Sequence, residues 1–222
     1  MGQSSAVTVF LDFNDGLLPS AHGWIFHGLD ESSYSVAGGI LTGDTFTIPG
    51  GGYYALPGVY DAAKDTVYEL RARYIDGSGG LGSAFGVYGP SSYTEVGVRH
   101  GALQIVSEPM PPGDAIVGAV TTGTFHTFTL LLPKSSELME VRVDGVTVFQ
   151  GTRRIGAVPL GIAFGDITSG GDGWWEVDSV YYSNDVPEPG TLAGLLIGAA
   201  FLILRASPRR ALLETIFSRP QV

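Results

Sequence analysis

Apolar and polar residues alternate one by one along most of this chain, in short bursts cut by glycine, proline, aspartate and serine. The segment Glu140-Val141-Arg142-Val143-Asp144-Gly145 shows the pattern most cleanly. Side chains of an extended strand alternate with a period of two, so Val141 and Val143 share one face and Glu140, Arg142 and Asp144 the other. Asp144-Gly145 has the composition of a two-residue hairpin turn, which returns the chain through Val146 and Val148. Similar segments rich in Val, Tyr, Phe and Thr predict strands over 6–13, 66–75, 83–89, 94–107, 124–133, 138–151, 159–167 and 174–183. No stretch before Pro187 keeps a helical period. Short strands at this spacing, without helices between them, predict two packed antiparallel sheets, an all-β sandwich.

The alternation stops at Val186-Pro187-Glu188-Pro189-Gly190. An uncharged apolar run, Thr191 to Leu204, follows, and then Arg205, Arg209 and Arg210. The prolines remove backbone donors and hold the box extended, ready for presentation to another protein. The run is 14 residues long, short of the roughly 17–25 that span a bilayer comfortably. Arg205 can snorkel, so a thin span stays open, and a buried core helix is the alternative reading. Basic residues on the C-terminal side place that side in the cytoplasm and the large N-terminal part outside. The pattern therefore divides the chain into an ectodomain, 1–185, an anchor segment, 186–210, with a transmembrane helix at about 190–205, and a short cytoplasmic tail, 211–222. In that tail Leu212, Leu213, Ile216 and Phe217 fall on one helical side.

Composition narrows the function. With no cysteine there is no disulfide framework, thiolate nucleophile or Cys-based zinc site. The 33 glycines among 222 residues suit a turn-dense β fold. Residues 1–185 carry 8 Lys and Arg against 20 Asp and Glu, whereas the remainder carries 4 against 2. An acidic ectodomain argues against nucleic-acid binding, which wants basic patches. Gly50-Gly51-Gly52 and the glycines between 77 and 82 match no phosphate-binding pattern, and no Gly-x-Ser-x-Gly elbow occurs. His22, His27, His100 and His126 lack the short spacing of metal sites, although His22 and His27 sit near Trp24.

Box, apolar run and arginine cluster together resemble a PEP-CTERM sorting signal, a device of exported proteins in Gram-negative bacteria that make extracellular polysaccharide. The resemblance covers about the last 37 residues. It implies that Pro187, Glu188 and Pro189 form the box read by an exosortase-type processing enzyme, and that Arg205, Arg209 and Arg210 form the stop. It also implies export to the cell envelope, as a single-pass membrane anchor with a cytoplasmic C-terminus before any processing. Two features depart from the pattern. ALLETIFSRPQV continues past the arginines, and residues 1–16 show no basic n-region or apolar h-region. Export therefore implies a start upstream of Met1. Ala6 also breaks the N-myristoylation pattern that Gly2 begins.

Leu11-Asp12-Phe13-Asn14-Asp15-Gly16, Gly23-Trp24, the Val141–Val146 hairpin and the closing Trp175–Ser183 strand resemble the concanavalin A-like, laminin-G-like jelly roll. That fold hosts lectins, glucanases and structural modules, so it selects no function by itself. Jelly-roll glucanases are marked by a Glu-x-Asp-x-x-Glu strand, whose carboxylates flank the glycosidic bond. Here Glu176 and Asp178 stand in place, but Tyr181 occupies the position of the second catalytic carboxylate. The expectation is a protein without enzymatic activity, an exported cell-surface or matrix component that binds polysaccharide. A glycan hydrolase with an atypical carboxylate pair and an inert structural adhesin are the alternatives.

Sugar binding needs aromatic faces. Trp24, Tyr53, Tyr54, Tyr88, Tyr93, Trp174 and Trp175 are the pool, and alternation should turn one member of each adjacent pair inward. From it Trp24, Tyr54, Tyr88, Tyr93 and Trp174 are the ligand-binding candidates. The jelly-roll resemblance adds a structural calcium between first and last strands, for which Asp12, Asp15 and Asp178 are the oxygen donors. No other cofactor is expected.

Overall fold

The computed structural model describes residues 6–45, 51–78, 83–99, 101–106, 115–158, 161–167 and 172–184, all within the compact unit Met1–Val186. The expected sorting box at Pro187, Glu188 and Pro189, the helix over about 190–205, Arg205, Arg209, Arg210 and the tail 211–222 lie outside the described residues. Among the described residues no helix is long and apolar enough to cross a membrane.

The strands in chain order are β1 (Thr8–Asp12), β2 (Ile25–Gly28), β3 (Tyr34–Ala37), β4 (Ile40–Asp44), β5 (Gly52–Leu56), β6 (Thr66–Ser78), β7 (Ala84–Tyr88) and β8 (Ser92–Arg99). They continue as β9 (Ala102–Val106), β10 (Ala115–Ala119), β11 (His126–Leu132), β12 (Leu138–Val143), β13 (Val146–Thr152), β14 (Arg154–Ile155), β15 (Gly161–Gly165) and β16 (Asp172–Ser183). Helical structure among the described residues is confined to two short 3-10 turns, Pro19–His22 and Glu31–Ser33.

Two antiparallel sheets result. The first runs β13-β12-β11-β6-β16-β4-β3, with β1 also on β16; the second runs β10-β9-β8-β7-β15-β5-β2, with β14 on β8. The expected sandwich is present, and the arrangement is consistent with a jelly roll. The first and last strands are neighbours in the middle of the first sheet, in register from Thr8↔Ser183 to Asp12↔Ser179.

The alternation that predicted strands also sorts their faces. On β6, Tyr68, Leu70, Ala72 and Tyr74 are buried, while Glu69, Arg71 and Arg73 lie on the other side. The inward residues meet Phe85, Val87, Val96, Ile162 and Phe164 of the second sheet in one core. Burying these aromatics supplies most of the cohesion, at roughly 25 cal/mol for each Å² of apolar surface removed from water. Trp24 packs edge-on against Phe164 at 4.9 Å, and Phe164 in turn meets Trp175 at 6.3 Å.

Some expectations needed revision. The 94–107 segment is a hairpin of two strands, not one, because Gly101 takes a left-handed φ of 72° and reverses the chain. The 138–151 segment turns where predicted, with Asp144 and Gly145 both at positive φ. Its register then slips between Val141 and Arg142, so Val148 is an extra residue in the returning strand.

Candidate functional site

The outer face of the first sheet gathers the polar and aromatic residues that the core rejects. Its centre is the β6/β16 pair, flanked by β11 on one side and by β1 and β4 on the other. Register fixes the rows. One row reads Thr129, Glu69, Tyr181, Phe10, and the next reads Thr127, Arg71, Ser179, Asp12. Phe10, Glu69, Arg71, Thr127, Ser179 and Tyr181 line a groove of about 330 Å³. Phe10 is 63% exposed and Tyr181, its register partner, is half-buried, so the groove presents an aromatic pair to solvent.

A bulge shapes this face. The ladder between β16 and β6 passes from Val177↔Ala72 to Ser179↔Arg71, so Asp178 is the unpaired extra residue. It turns Asp178 toward Arg71, whose Nη1 donates to Asp178 Oδ2 at 2.7 Å. Beside it, Arg73 Nη2 lies 2.6 Å from Glu176 Oε2. The Phe125 ring faces both guanidinium groups, at 5.4 and 4.8 Å. Glu69 accepts a hydrogen bond from Thr129 Oγ1. Farther along, hydrogen bonds from Thr147 and then from Arg142 hold the Glu140 carboxyl below its ordinary range. The carboxylates of this face pair with guanidinium groups or accept hydrogen bonds.

The sequence-derived candidates scatter. Trp24 is 3%, Tyr54 0% and Tyr88 2% exposed, so these three rings have no free face for a sugar. Trp24 and Tyr54 belong to the main core, and Tyr88 to a smaller cluster with Ala55 and Ala163. The expectation for them fails because bulky aromatics are the best core material available to a chain so rich in glycine. Tyr93 lies on the outer face of the second sheet, stacked on Tyr88 at 6.1 Å with the Arg154 guanidinium 5.6 Å from its ring centre. Trp174, 38% exposed, is on the outer face of the first sheet, while its neighbour Trp175 is buried, as alternation requires. Tyr53 and Tyr54 divide the same way, and His27 stacks on Tyr53 at 5.0 Å.

The three aspartates expected to hold calcium do not converge. Asp178 is bound to Arg71, Asp15 Oδ2 lies 3.0 Å from His22, and Asp12 accepts from the Asn14 amide. Among the described residues no group of three or more acidic or histidine side chains is placed to hold a metal ion. The ladder joins first and last strands, and Asn184 accepts from the Val7 amide and donates its own backbone amide to the Val7 carbonyl.

Sequence reasoning missed Phe10, Tyr181, Glu69, Arg71 and Thr127. The signal was available in the Glu69-x-Arg71-x-Arg73 alternation, which sets three charged residues on one side of a strand. Nothing local revealed that β1 and β16 would bring Phe10 beside Tyr181.

No protein-family model matches the chain, and no curated protein matches it in sequence. Solved structures do. A Bacillus licheniformis beta-glucanase is 14% identical, with a TM-score of 0.53 over 79% of this chain and 97% of that one. A native glycosidic hydrolase is 16% identical, with a TM-score of 0.54 over 84% and 100%. A Shewanella oneidensis MR-1 protein of unknown function is 10% identical, with a TM-score of 0.52 over 82% and 87%. At these identities the likeness is one of fold: this chain is similar to the concanavalin A-like jelly-roll sandwiches of the beta-glucanases.

Proposed function

We propose that this protein is a non-enzymatic, exported cell-surface or matrix component that binds polysaccharide on the outer face of its first sheet. The observation that carries the binding reading is the Phe10–Tyr181 register pair at a groove whose other lining residues are Glu69, Arg71, Thr127 and Ser179. Aromatic rings stack on the C–H faces of sugars, and the polar neighbours hydrogen-bond hydroxyls. The beta-glucanase likeness supports a carbohydrate ligand at the level of fold only. Export and sorting rest on the sequence of the last 37 residues. In this reading an exosortase-type enzyme recognises Pro187-Glu188-Pro189, and the apolar run enters the membrane ahead of the arginine stop.

A hydrolase is the second reading, favoured by one observation: Glu69 lies directly across from Tyr181, where a second carboxylate would be wanted. Weighing against it, the Glu176 carboxylate is paired with Arg73 at 2.6 Å and Glu69 accepts a hydrogen bond from Thr129 Oγ1.

Titration of the purified chain with soluble glucans, followed by calorimetry and reducing-sugar release, separates the readings. The expected result is heat of binding that Phe10→Ala and Tyr181→Ala each weaken, with no sugar released. Release of reducing ends that Glu176→Gln or Glu69→Gln abolishes would establish the hydrolase. Absence of binding to any glycan would leave a structural adhesin.

A further inference from the structure

The groove at Phe10 and Tyr181 is one end of a longer surface. Trp174 lies on the same strand and the same face. The β16/β6 ladder runs from Tyr181↔Glu69 to Trp174↔Asp76 with one bulge on each strand, at Asp178 and at Ile75. The two bulges cancel, leaving six ladder steps, an even number, so both rings point outward. Six steps correspond to roughly 20 Å along the sheet. Trp174 is flanked on both sides by carboxylates, Asp76 from β6 and Asp44 from β4, each directly opposite it in register.

Between the two aromatic stations lie the ion pairs Arg71–Asp178 and Arg73–Glu176. Each guanidinium is matched by one carboxylate and Asp12 stands in the Arg71 row, so this middle section presents many hydrogen-bonding atoms and, among the described residues, no excess of positive charge. At the Trp174 end the flanking groups are acidic, and residues 1–185 as a whole are strongly acidic. An anionic polymer would meet the acidity of residues 1–185 and, among the described residues between the two stations, only guanidinium groups already paired with carboxylates.

We propose that this face is an extended track for a single linear, neutral polysaccharide chain, with Phe10 and Tyr181 at one station and Trp174 at the other. The inference rests on the polysaccharide-binding reading above and adds the length and charge of the ligand. A mono- or disaccharide fills one station only. A longer chain reaches both, and the second aromatic contact multiplies affinity by about tenfold, the equivalent of one additional stacking interaction.

The test is calorimetry on the full chain with cello- and laminari-oligosaccharides, from disaccharide to hexasaccharide, with polygalacturonate as the anionic comparison. Affinity is expected to rise about tenfold with length and then level off, while polygalacturonate binds more weakly than the neutral hexasaccharide. Trp174→Ala should erase the gain with length, and Trp174→Phe should restore part of it. Phe10→Ala should weaken both. Affinity independent of length, a length gain that survives Trp174→Ala, or preference for polygalacturonate overturns the track while leaving glycan binding standing. Failure of every oligosaccharide to bind overturns the binding reading and the track together.

Discussion

The Tyr68 hydroxyl, on the central strand of the first sheet, donates a hydrogen bond to the Ala163 carbonyl of the second sheet, 3.1 Å away. Both residues are fully buried, so the bond ties the two layers together where water cannot replace it. Tyr34 makes a comparable tie to the Gly52 carbonyl of β5, and Tyr182 donates to the Val59 carbonyl in the loop between β5 and β6. Tyr68→Phe keeps the ring and removes the tie. It should cost about 1 kcal/mol, read as a lower urea midpoint at unchanged m-value. A shift in m would mean that the sheets part, not that one bond is lost.

These tyrosines also set an alkaline limit. Burial pushes the Tyr34, Tyr68, Tyr88 and Tyr182 hydroxyls above their ordinary range, most simply at Tyr68, where desolvation is the sole cause. A raised folded-state value means the unfolded chain loses its protons first, near pH 10. The stability they contribute is complete below that point and declines as pH rises toward the folded values. The melting temperature should therefore fall steeply above about pH 10. Absorbance at alkaline pH should show these four phenols ionising only with unfolding. Ionisation of all ten tyrosines in one transition without loss of fold would contradict the packing described.

Legibility followed range in sequence. The hairpin at Asp144-Gly145 and the strand faces of β6 and β16 were readable because alternation and turn chemistry are local. β2, β3, β4 and β5 were not predicted, since Ile25–Gly28 and Tyr34–Ala37 are four residues each and Gly28, Gly43 and Gly52 interrupt the pattern in β2, β4 and β5. The site was less legible than the fold. Trp24 and Tyr54 look like sugar platforms in isolation, and only the packing against Phe164 and Tyr34 assigns them to the core. Phe10 looks like a core residue in Val9-Phe10-Leu11, yet pairing with β16 turns it outward beside Tyr181.

Gly43 on β4 holds a place that no larger residue can share. A methyl group there would lie 2.5 Å from Trp175 Nε1 and 2.7 Å from Tyr34 Cε1. Neither ring can retreat, because Trp175 also packs on Phe164 and Tyr34 on Phe26 and Tyr54. Gly43→Ala should therefore destabilise by about 1–3 kcal/mol through overpacking, although alanine suits a strand better than glycine does. Thermal melting checks the sign. A variant as stable as the parent would mean that the aromatic cluster has slack that these contacts deny.

The Asp144 carboxylate joins two hairpins by accepting from the Thr127 amide at 2.9 Å and meeting His126 Nδ1 at 2.7 Å. The His126 contact, followed by the Thr127 amide, holds its carboxyl below the ordinary aspartate range. A depressed folded-state value stabilises the protein fully above the unfolded value near 3.9 and is lost as pH falls through the folded one. Asp144→Asn isolates this effect, since asparagine tolerates the left-handed turn position equally well. The variant should melt below the parent at pH 6, and the gap should close as pH falls below about 4. The side chain is half exposed, so the gap should be small and shrink further in high salt. A gap that persists unchanged at pH 2 would mean that turn geometry, not the carboxylate's charge, carries the contribution of Asp144.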